Sequence, residues 1–290
     1  MKEAEELQVH VKEALLRLLG ASHQDTLWSM RNLASTYRHQ GRWKEAEELL
    51  VQVKDGYFSL HGTEHLDTLT AMRNLARTYQ LQGRLKEAEE LQVYVKEGLV
   101  KLLGAGHPYT LWSMGNLAST YSDQGRWKEA EALQVEAKDG YFRLHGTEHP
   151  DTLVSKRNLA LTYWLQGRLK EAEELQIYVK EALFRLLETS YQDTLGIMGD
   201  LASTYSDQGR WQEAEELQVQ VKDDYFRLRE AEPSRYTEGH GEPCMDISAS
   251  RTLEGGGGTA STCEGGSFQA SGRRTSGYTL GNSGPRLNVQ

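Results

Sequence analysis

Residues 74–89 read NLARTYQLQGRLKEAE, and near copies of this stretch occupy residues 32–47, 116–131, 158–173 and 200–215. The copies are spaced by 42 residues, and each carries Gln-Gly-Arg at the same place. A strict period of this length is typical of a solenoid, in which one small structural unit stacks on the next. The repeat therefore decides the fold before the 290 residues are divided into domains.

Each copy of the repeat reads as two helices separated by a glycine. In the second complete unit, one helical face is predicted from the three- and four-residue spacing of Leu69, Met72, Leu75, Ala76 and Tyr79. Asp67 or Thr68 is predicted to cap this first helix, and Gly83 to end it, because glycine adopts the left-handed conformation of a helix stop. A second helix is predicted from about Leu85 to Leu102.

The predicted fold is an all-α solenoid, a right-handed superhelix of helix hairpins over residues 1–229. We expect six second helices and five first helices, because the chain opens at Lys2 inside a second helix. The expected units lie near 1–24 (partial), 25–66, 67–108, 109–150, 151–192 and 193–229. Without polar caps, we expect the chain to be part of a longer array and its bare ends to allow self-association.

Composition limits the classes of function. The chain has 42 acidic and 33 basic residues, a net charge of −9, which argues against nucleic acid as a partner because phosphate binding requires clustered Lys and Arg. No stretch approaches the roughly 20 apolar residues that span a bilayer. The two cysteines, Cys244 and Cys263, lie beyond the repeats, so the array folds without a disulfide. We therefore expect a soluble, cytoplasmic protein that binds neither nucleic acid nor membranes.

The pattern Asn-Leu-Ala-x-x-Tyr-x-x-Gln-Gly-Arg-x-x-Glu-Ala-Glu, preceded in the best copy by His149-Pro150-Asp151-Thr152-Leu153, resembles the 42-residue tetratricopeptide repeat of kinesin light chains. It is also similar to the repeat arrays of fungal NB-ARC-type signalling ATPases. The resemblance covers residues 1 to about 229 and implies tandem tetratricopeptide hairpins whose first helices line a concave, peptide-binding groove. Neither a heptad coiled coil nor a Gly-Lys-Ser/Thr phosphate loop occurs in the sequence.

The candidate groove residues are the pair that precedes Leu-Ala in each unit: Arg31-Asn32, Arg73-Asn74, Gly115-Asn116, Arg157-Asn158 and Gly199-Asp200. Each Asn amide offers both donors and an acceptor to a peptide backbone. The three Arg residues would favour an acidic segment through charge-assisted hydrogen bonds. The alternative is that Asn bonds the neighbouring helix and Arg only solvates a face.

Aromatic and histidine side chains recur in the same register. Trp28 and Trp112 are predicted either to stack on a ligand at the rim or to pack between repeats. A core position is predicted for Trp43, Trp127 and Trp211, which alternate with leucine. A turn role, with no metal or cofactor, is predicted for the loop residues His23, His65, His107 and His149, which lie too far apart to share one ion. No catalytic motif accompanies them, so no enzyme is expected.

The segment 230–290 is rich in Gly, Ser and Thr, which predicts a disordered tail. Ser234-Arg235-Tyr236-Thr237 and Ser276-Gly277-Tyr278-Thr279 nevertheless keep the 42-residue spacing. Reading back-translated codons one nucleotide later permits the repeat to continue, and we interpret the tail as frameshifted repeats. The last helix would then lose a neighbour, chiefly at Leu217, Val221 and Phe226.

Three hypotheses for function follow. The favoured one is a scaffold that binds a peptide or partner protein in the groove. The alternatives are a detached sensor region of an NB-ARC-type ATPase and a non-functional gene fragment. Genomic sequence on both sides of the reading frame would separate them.

Overall fold

The computed structural model describes residues 2–186 and 191–231, and within these ranges it contains eleven α-helices and no strand. The helices are α1 (Lys2–Leu19), α2 (Gln24–His39), α3 (Trp43–His61), α4 (Leu66–Leu81), α5 (Leu85–Leu103), α6 (Pro108–Asp123), α7 (Trp127–His145), α8 (Pro150–Leu165), α9 (Leu169–Arg185), α10 (Tyr191–Asp207) and α11 (Trp211–Ala231). The predicted six second helices, with odd numbers, and five first helices, with even numbers, are confirmed. The predicted tail lies, from residue 232 onward, outside the described residues.

The helices pack as a stack of hairpins. Each helix from α1 to α9 contacts the helix that follows it in the chain. Neighbouring first helices also touch, as α4 touches α6, α6 touches α8 and α8 touches α10. A continuous layer of first helices is thereby formed, as in other solenoids. None of the helices in the described ranges is long and apolar enough to cross a membrane.

The core lies between the two helices of each hairpin and between successive hairpins. In each first helix from α2 to α8, the leucine near its start is at most 1% exposed: Leu27, Leu69, Leu111 and Leu153. Three of these leucines lie against a glycine inside the following second helix, and a Cβ added at Gly140 would clash with Leu111 Cδ2. The helices therefore approach closely where the sequence places glycine.

Histidines cap the first helices at the loops between units. The Nδ1 atoms of four loop histidines accept the backbone N–H two residues later at 3.2–3.3 Å: His23, His65, His107 and His149. The prediction that Asp67 or Thr68 caps α4 is wrong, because α4 already begins at Leu66. The Thr68 hydroxyl instead donates to the Gly62 carbonyl at 2.7 Å. A ring nitrogen here accepts the hydrogen bond that Ser or Asp accepts in most helix caps.

The tryptophans that begin alternate second helices are not core residues, contrary to the sequence prediction. Trp43, Trp127 and Trp211 are 38%, 39% and 60% exposed. Helical side chains point back toward the N-terminus, so the side chain of the first residue projects beyond the packed part of its helix. The buried position falls three residues later, at Ala46, Ala130 and Ala214.

The two ends of the array expose apolar side chains. Leu7 on α1 is 66% exposed, whereas the equivalent Leu49 of α3 is half-buried. On α11 Val221 is half-buried, although the equivalent Val179 is buried, which agrees with the prediction that Val221 loses burial. The prediction for Phe226 is wrong, because the equivalent phenylalanines of the inner units are equally exposed. Leu217 is half-buried like its counterparts, and self-association through the ends stays a prediction.

A glycine ends each complete first helix, as predicted. Gly83 follows α4 with φ +77°, and Gly125 follows α6 with φ +75°. An L-residue pays roughly 1–2 kcal/mol in this left-handed conformation. Gly115 lies instead inside α6, and nothing lies within 4 Å of a Cβ built on it.

These two glycines should respond to the same substitution with opposite signs. Gly125→Ala should lower the free energy of unfolding by about 1 kcal/mol, because Ala disfavours positive φ. Gly115→Ala should raise it by about 0.5–1 kcal/mol, because Ala loses less backbone entropy inside a helix. Urea unfolding followed by circular dichroism measures both. A loss of stability in both variants would contradict the open helical setting of Gly115.

Candidate functional site

The Gln-Gly-Arg motif ties each unit to the one before it. At the α6–α7 loop, Gln124 Nε2 and Arg126 donate to the two carboxylate oxygens of Glu89 on α5, at 2.8 and 2.7 Å. Arg126 also pairs with Glu129 at 2.6 Å and covers the Tyr121 ring at 4.1 Å. These carboxylates raise the pKa of Arg126. The same arginine arrangement occurs at all five hairpin loops, at Arg42, Arg84, Arg126, Arg168 and Arg210.

This ladder of ion pairs is not among the sequence predictions, in which Gln-Gly-Arg marks only a turn. The available signal was that Gln and Arg recur in all five copies, although the turn itself requires only glycine. Each ladder arginine is already bound by two carboxylates, so the ladder joins units and offers no free charge to a ligand. The candidate site must lie elsewhere.

The predicted asparagines lie in one row along the layer of first helices. We call the surface formed by α2, α4, α6, α8 and α10 the first-helix face. Its half-buried row consists of Asn32, Asn74, Asn116, Asn158 and Asp200. Among the residues that the structure describes, no side chain or backbone group bonds the amides of the four asparagines. In the described residues, these amides therefore do not bond the neighbouring helix, although the alternative interpretation requires it.

Four arginines gather on α2 and α4, beside this row. We call Arg31, Arg38, Arg73 and Arg77 the basic cluster. Burial lowers the pKa of Arg38, Arg73 and Arg77, and the charges of Arg31 and Arg38 lower that of Arg73 further. A guanidinium stays protonated at neutral pH, so these three arginines remain charged. Their lowered pKa values mean that they are held where burial disfavours that charge.

Arg73 is the most enclosed member of the basic cluster. Its guanidinium lies 3.6 Å above the centre of the Trp112 ring on the next first helix. Its Nε atom is buried without a hydrogen-bond partner, and no carboxylate within the described ranges pairs with it. Arg77 differs, since it donates to Gln80 at 2.8 Å and is stabilised as a cation by Asp123.

Arg157, the third predicted arginine, is set apart from the cluster. Its Nε donates to Asp200 on α10 at 2.8 Å, and both side chains are mostly buried. Its guanidinium lies against Gly196, which holds the position that Trp112 holds two units earlier. The structure therefore brings Arg31 and Arg73 together on the neighbouring first helices α2 and α4. It pairs Arg157 with the carboxylate of Asp200 instead.

The two candidate tryptophans take different roles. Trp28 is 54% exposed near the start of α2, where it forms an open rim of the first-helix face. Trp112 is half-buried beneath Arg73 and so packs between units.

Family profiles and solved structures identify this architecture. One tetratricopeptide repeat profile matches residues 68–109, 110–151, 152–177 and 194–225, and a second matches residues 1–57. The chain belongs to the tetratricopeptide repeat family. A search of curated protein sequences finds no significant match.

Several solved structures resemble this tetratricopeptide array. A Podosopora anserina protein described as a kinesin light chain with nearly identical TPR-like repeats is 33% identical, with a TM-score of 0.60 over 71% of this chain and 98% of that one. BtubC (BKLC) from P. vanneervenii is 18% identical, with a TM-score of 0.65 over 85% and 97% of the two chains. A Rap protein complexed with Competence and Sporulation Factor is 12% identical, with a TM-score of 0.58 over 72% and 60%.

The first of these matches confirms the kinesin-light-chain type of repeat, and the other two show the fold alone. The link to NB-ARC-type ATPases and the gene-fragment interpretation stay predictions.

Proposed function

We propose that this tetratricopeptide array is a protein-interaction scaffold that binds an acidic segment of a partner protein on its first-helix face, over the basic cluster. The observation that supports the proposal most is the state of Arg73, a half-buried cation whose Nε atom is buried without a hydrogen-bond partner and with which no carboxylate of the described residues pairs. The chain has nine more acidic than basic residues, so counter-charges are plentiful elsewhere. Burying an unpaired charge costs stability, and a ligand carboxylate would offset that cost.

The row of asparagines supports the same site. Asn32 and Asn74 lie next in sequence to Arg31 and Arg73, and the row continues along α6 and α8. An unpartnered amide can donate to a peptide carbonyl and accept from a peptide N–H. The row would thus hold a backbone of any sequence, while the arginines select for carboxylates through charge-assisted hydrogen bonds.

The uneven distribution of charge along the first-helix face indicates where the acidic part of the proposed ligand would lie. The basic cluster lies on α2 and α4, whereas Arg157 on α8 is neutralised by Asp200 on α10. The acidic residues of a bound segment should therefore lie over α2 and α4, and a less charged part over α8 and α10. Trp28 lies at the basic end, where an apolar residue of the ligand would pack on its exposed ring.

Fluorescence anisotropy with labelled 12-residue peptides tests this function. A peptide that alternates Glu and Leu should bind, and a matched peptide with Lys in place of Glu should not, because the local basic cluster outweighs the net charge of −9. The affinity should fall with added salt, since screening shortens the Debye length from about 10 Å at 0.1 M to about 3 Å at 1 M. Tighter binding of the Lys peptide would show that net charge governs binding and would contradict the proposal.

A further inference from the structure

Two loops between units each bring two histidines and an aspartate together. His61, His65 and Asp67 meet where α3 ends and α4 begins, and the candidate ligand atoms of this group lie within 4.8 Å of one another. A second group lies 84 residues later, between α7 and α8, and consists of His145, His149 and Asp151. Its candidate ligand atoms also lie within 4.8 Å of one another. Both loops have the sequence pattern His-Gly-Thr-Glu-His-x-Asp.

The two groups share one geometry. The rings of His61 and His65 stack with centroids 4.2 Å apart and planes 26° apart, and those of His145 and His149 with values of 4.1 Å and 24°. In the second group, Asp151 Oδ2 lies 4.0 Å from His145 Nε2 and 3.6 Å from His149 Nδ1. Ligands bound at about 2.0–2.2 Å to one zinc ion lie roughly 3.3–3.6 Å apart, so small side-chain rotations bring the three ligand atoms into range. An ion bound to His149 Nδ1 would take the lone pair that accepts the Asp151 N–H, so zinc would replace the capping hydrogen bond of α8.

Helix capping explains only part of each group. His65 and His149 cap their helices, but His23 and His107 do so equally well in loops that have no histidine four residues upstream. The upstream residue is Leu19 or Leu103 in those two loops. The helix dipole favours a histidine at the end of α3 or α7 and an aspartate in the first turn of α4 or α8, yet neither preference requires the two histidine rings to stack.

We propose that each of these two loops binds one zinc ion through two imidazole nitrogens and one carboxylate oxygen, with water at the remaining position. Two imidazoles with a carboxylate suit zinc, whereas magnesium and calcium prefer oxygen ligands alone. The aspartate offsets the repulsion between a cation and the N-terminus of α4 or α8. The ion would join the last residue of one unit to the first turn of the next.

The expectation that the loops hold no metal rested on one histidine per loop. His23, His65, His107 and His149 lie in four different loops and are too far apart to share one ion. His61 and His65, by contrast, are only four residues apart across the end of a helix. The proposed site therefore needs only a single loop.

Isothermal titration of the chelator-treated full chain with zinc chloride tests the proposal. The wild type should bind two zinc ions per chain, and magnesium chloride should give no binding. His61→Leu with His145→Leu should abolish both sites. Leucine occupies the equivalent position at Leu19 and Leu103, so this variant should keep its helicity by circular dichroism.

The other two loops supply the matched control. His23→Asn with His107→Asn changes two capping histidines to another good capping residue and should still bind two zinc ions. Absence of zinc binding in the wild type would overturn the proposal. Unchanged zinc binding in the variant without His61 and His145 would overturn it too. Both readouts are independent of the peptide, so failure here leaves the proposed peptide site standing.

Discussion

Leu117→Ala should lower the free energy of unfolding by about 3 kcal/mol, as expected when a buried leucine leaves a cavity. Leu117 lies in α6, the sixth of the eleven described helices, and is 1% exposed. Solenoid stability is a sum of contacts between neighbouring units, so a cavity in a central unit weakens the coupling of the two halves. Urea unfolding followed at 222 nm should show a lower midpoint and a broader transition.

Leu102→Ala provides the matched control. Leu102 lies near the end of α5 and is exposed, so its truncation should change the free energy of unfolding by less than about 0.5 kcal/mol. Equal losses in the two variants would contradict the assignment of the core to the layer between the hairpins.

Arg73→Met should weaken binding of the acidic peptide at least 10-fold while leaving the protein as stable as the wild type or more stable. A hydrogen bond to a charged group contributes roughly 1.5–3 kcal/mol, which corresponds to a loss of about 10- to 100-fold in affinity. Methionine removes a half-buried cation that has no carboxylate partner in the described residues, and with it a desolvation penalty on the order of 1 kcal/mol.

A residue kept for folding would behave in the opposite way. The stack of Arg73 on Trp112 contributes about 0.5–2 kcal/mol, and methionine retains part of it through its sulfur. Large destabilisation of the Arg73→Met variant would therefore identify Arg73 as a packing residue. Thermal melts measured without peptide separate the two cases.

Most of the helix boundaries could be read from the sequence, because the signals that set them are local. The second helix predicted from Leu85 to Leu102 runs from Leu85 to Leu103, and Gly83 has the left-handed conformation expected of a helix stop. Apolar spacing and glycine stops act within a few residues of the place that they specify. Their recurrence every 42 residues then fixes the number of helices.

Two predictions made from local sequence were wrong, the cap of α4 and the position of Trp43. The cap of α4 is a ring nitrogen of His65, a residue outside the usual capping set, and the capping prediction therefore fell on Asp67 or Thr68. The alternation of Trp43 with leucine predicts a core position, but Trp43 is 38% exposed because it is the first residue of α3. Neither outcome follows from hydrophobicity or spacing.

In the candidate site, the sequence predicts which residues share a face but not which side chains touch each other. The row of asparagines could be predicted, because equivalent positions in a repeat lie on one face. The pairing of Arg157 with Asp200 and the stacking of Arg73 on Trp112 could not, because these contacts join residues 43 and 39 positions apart. Such offsets depend on how one unit is rotated and shifted against the next, which the 42-residue period does not specify.

The most direct test of the binding account is a side-by-side anisotropy titration of the Glu-Leu peptide against three proteins. These are the wild type, Arg31→Ala with Arg73→Met, and Arg17→Ala with Arg143→Ala, which removes the same charge from exposed positions on second helices. We expect a loss of affinity of at least 10-fold for the first variant and less than about 2-fold for the second. Equal losses in the two variants would contradict an acidic-peptide site on the first-helix face.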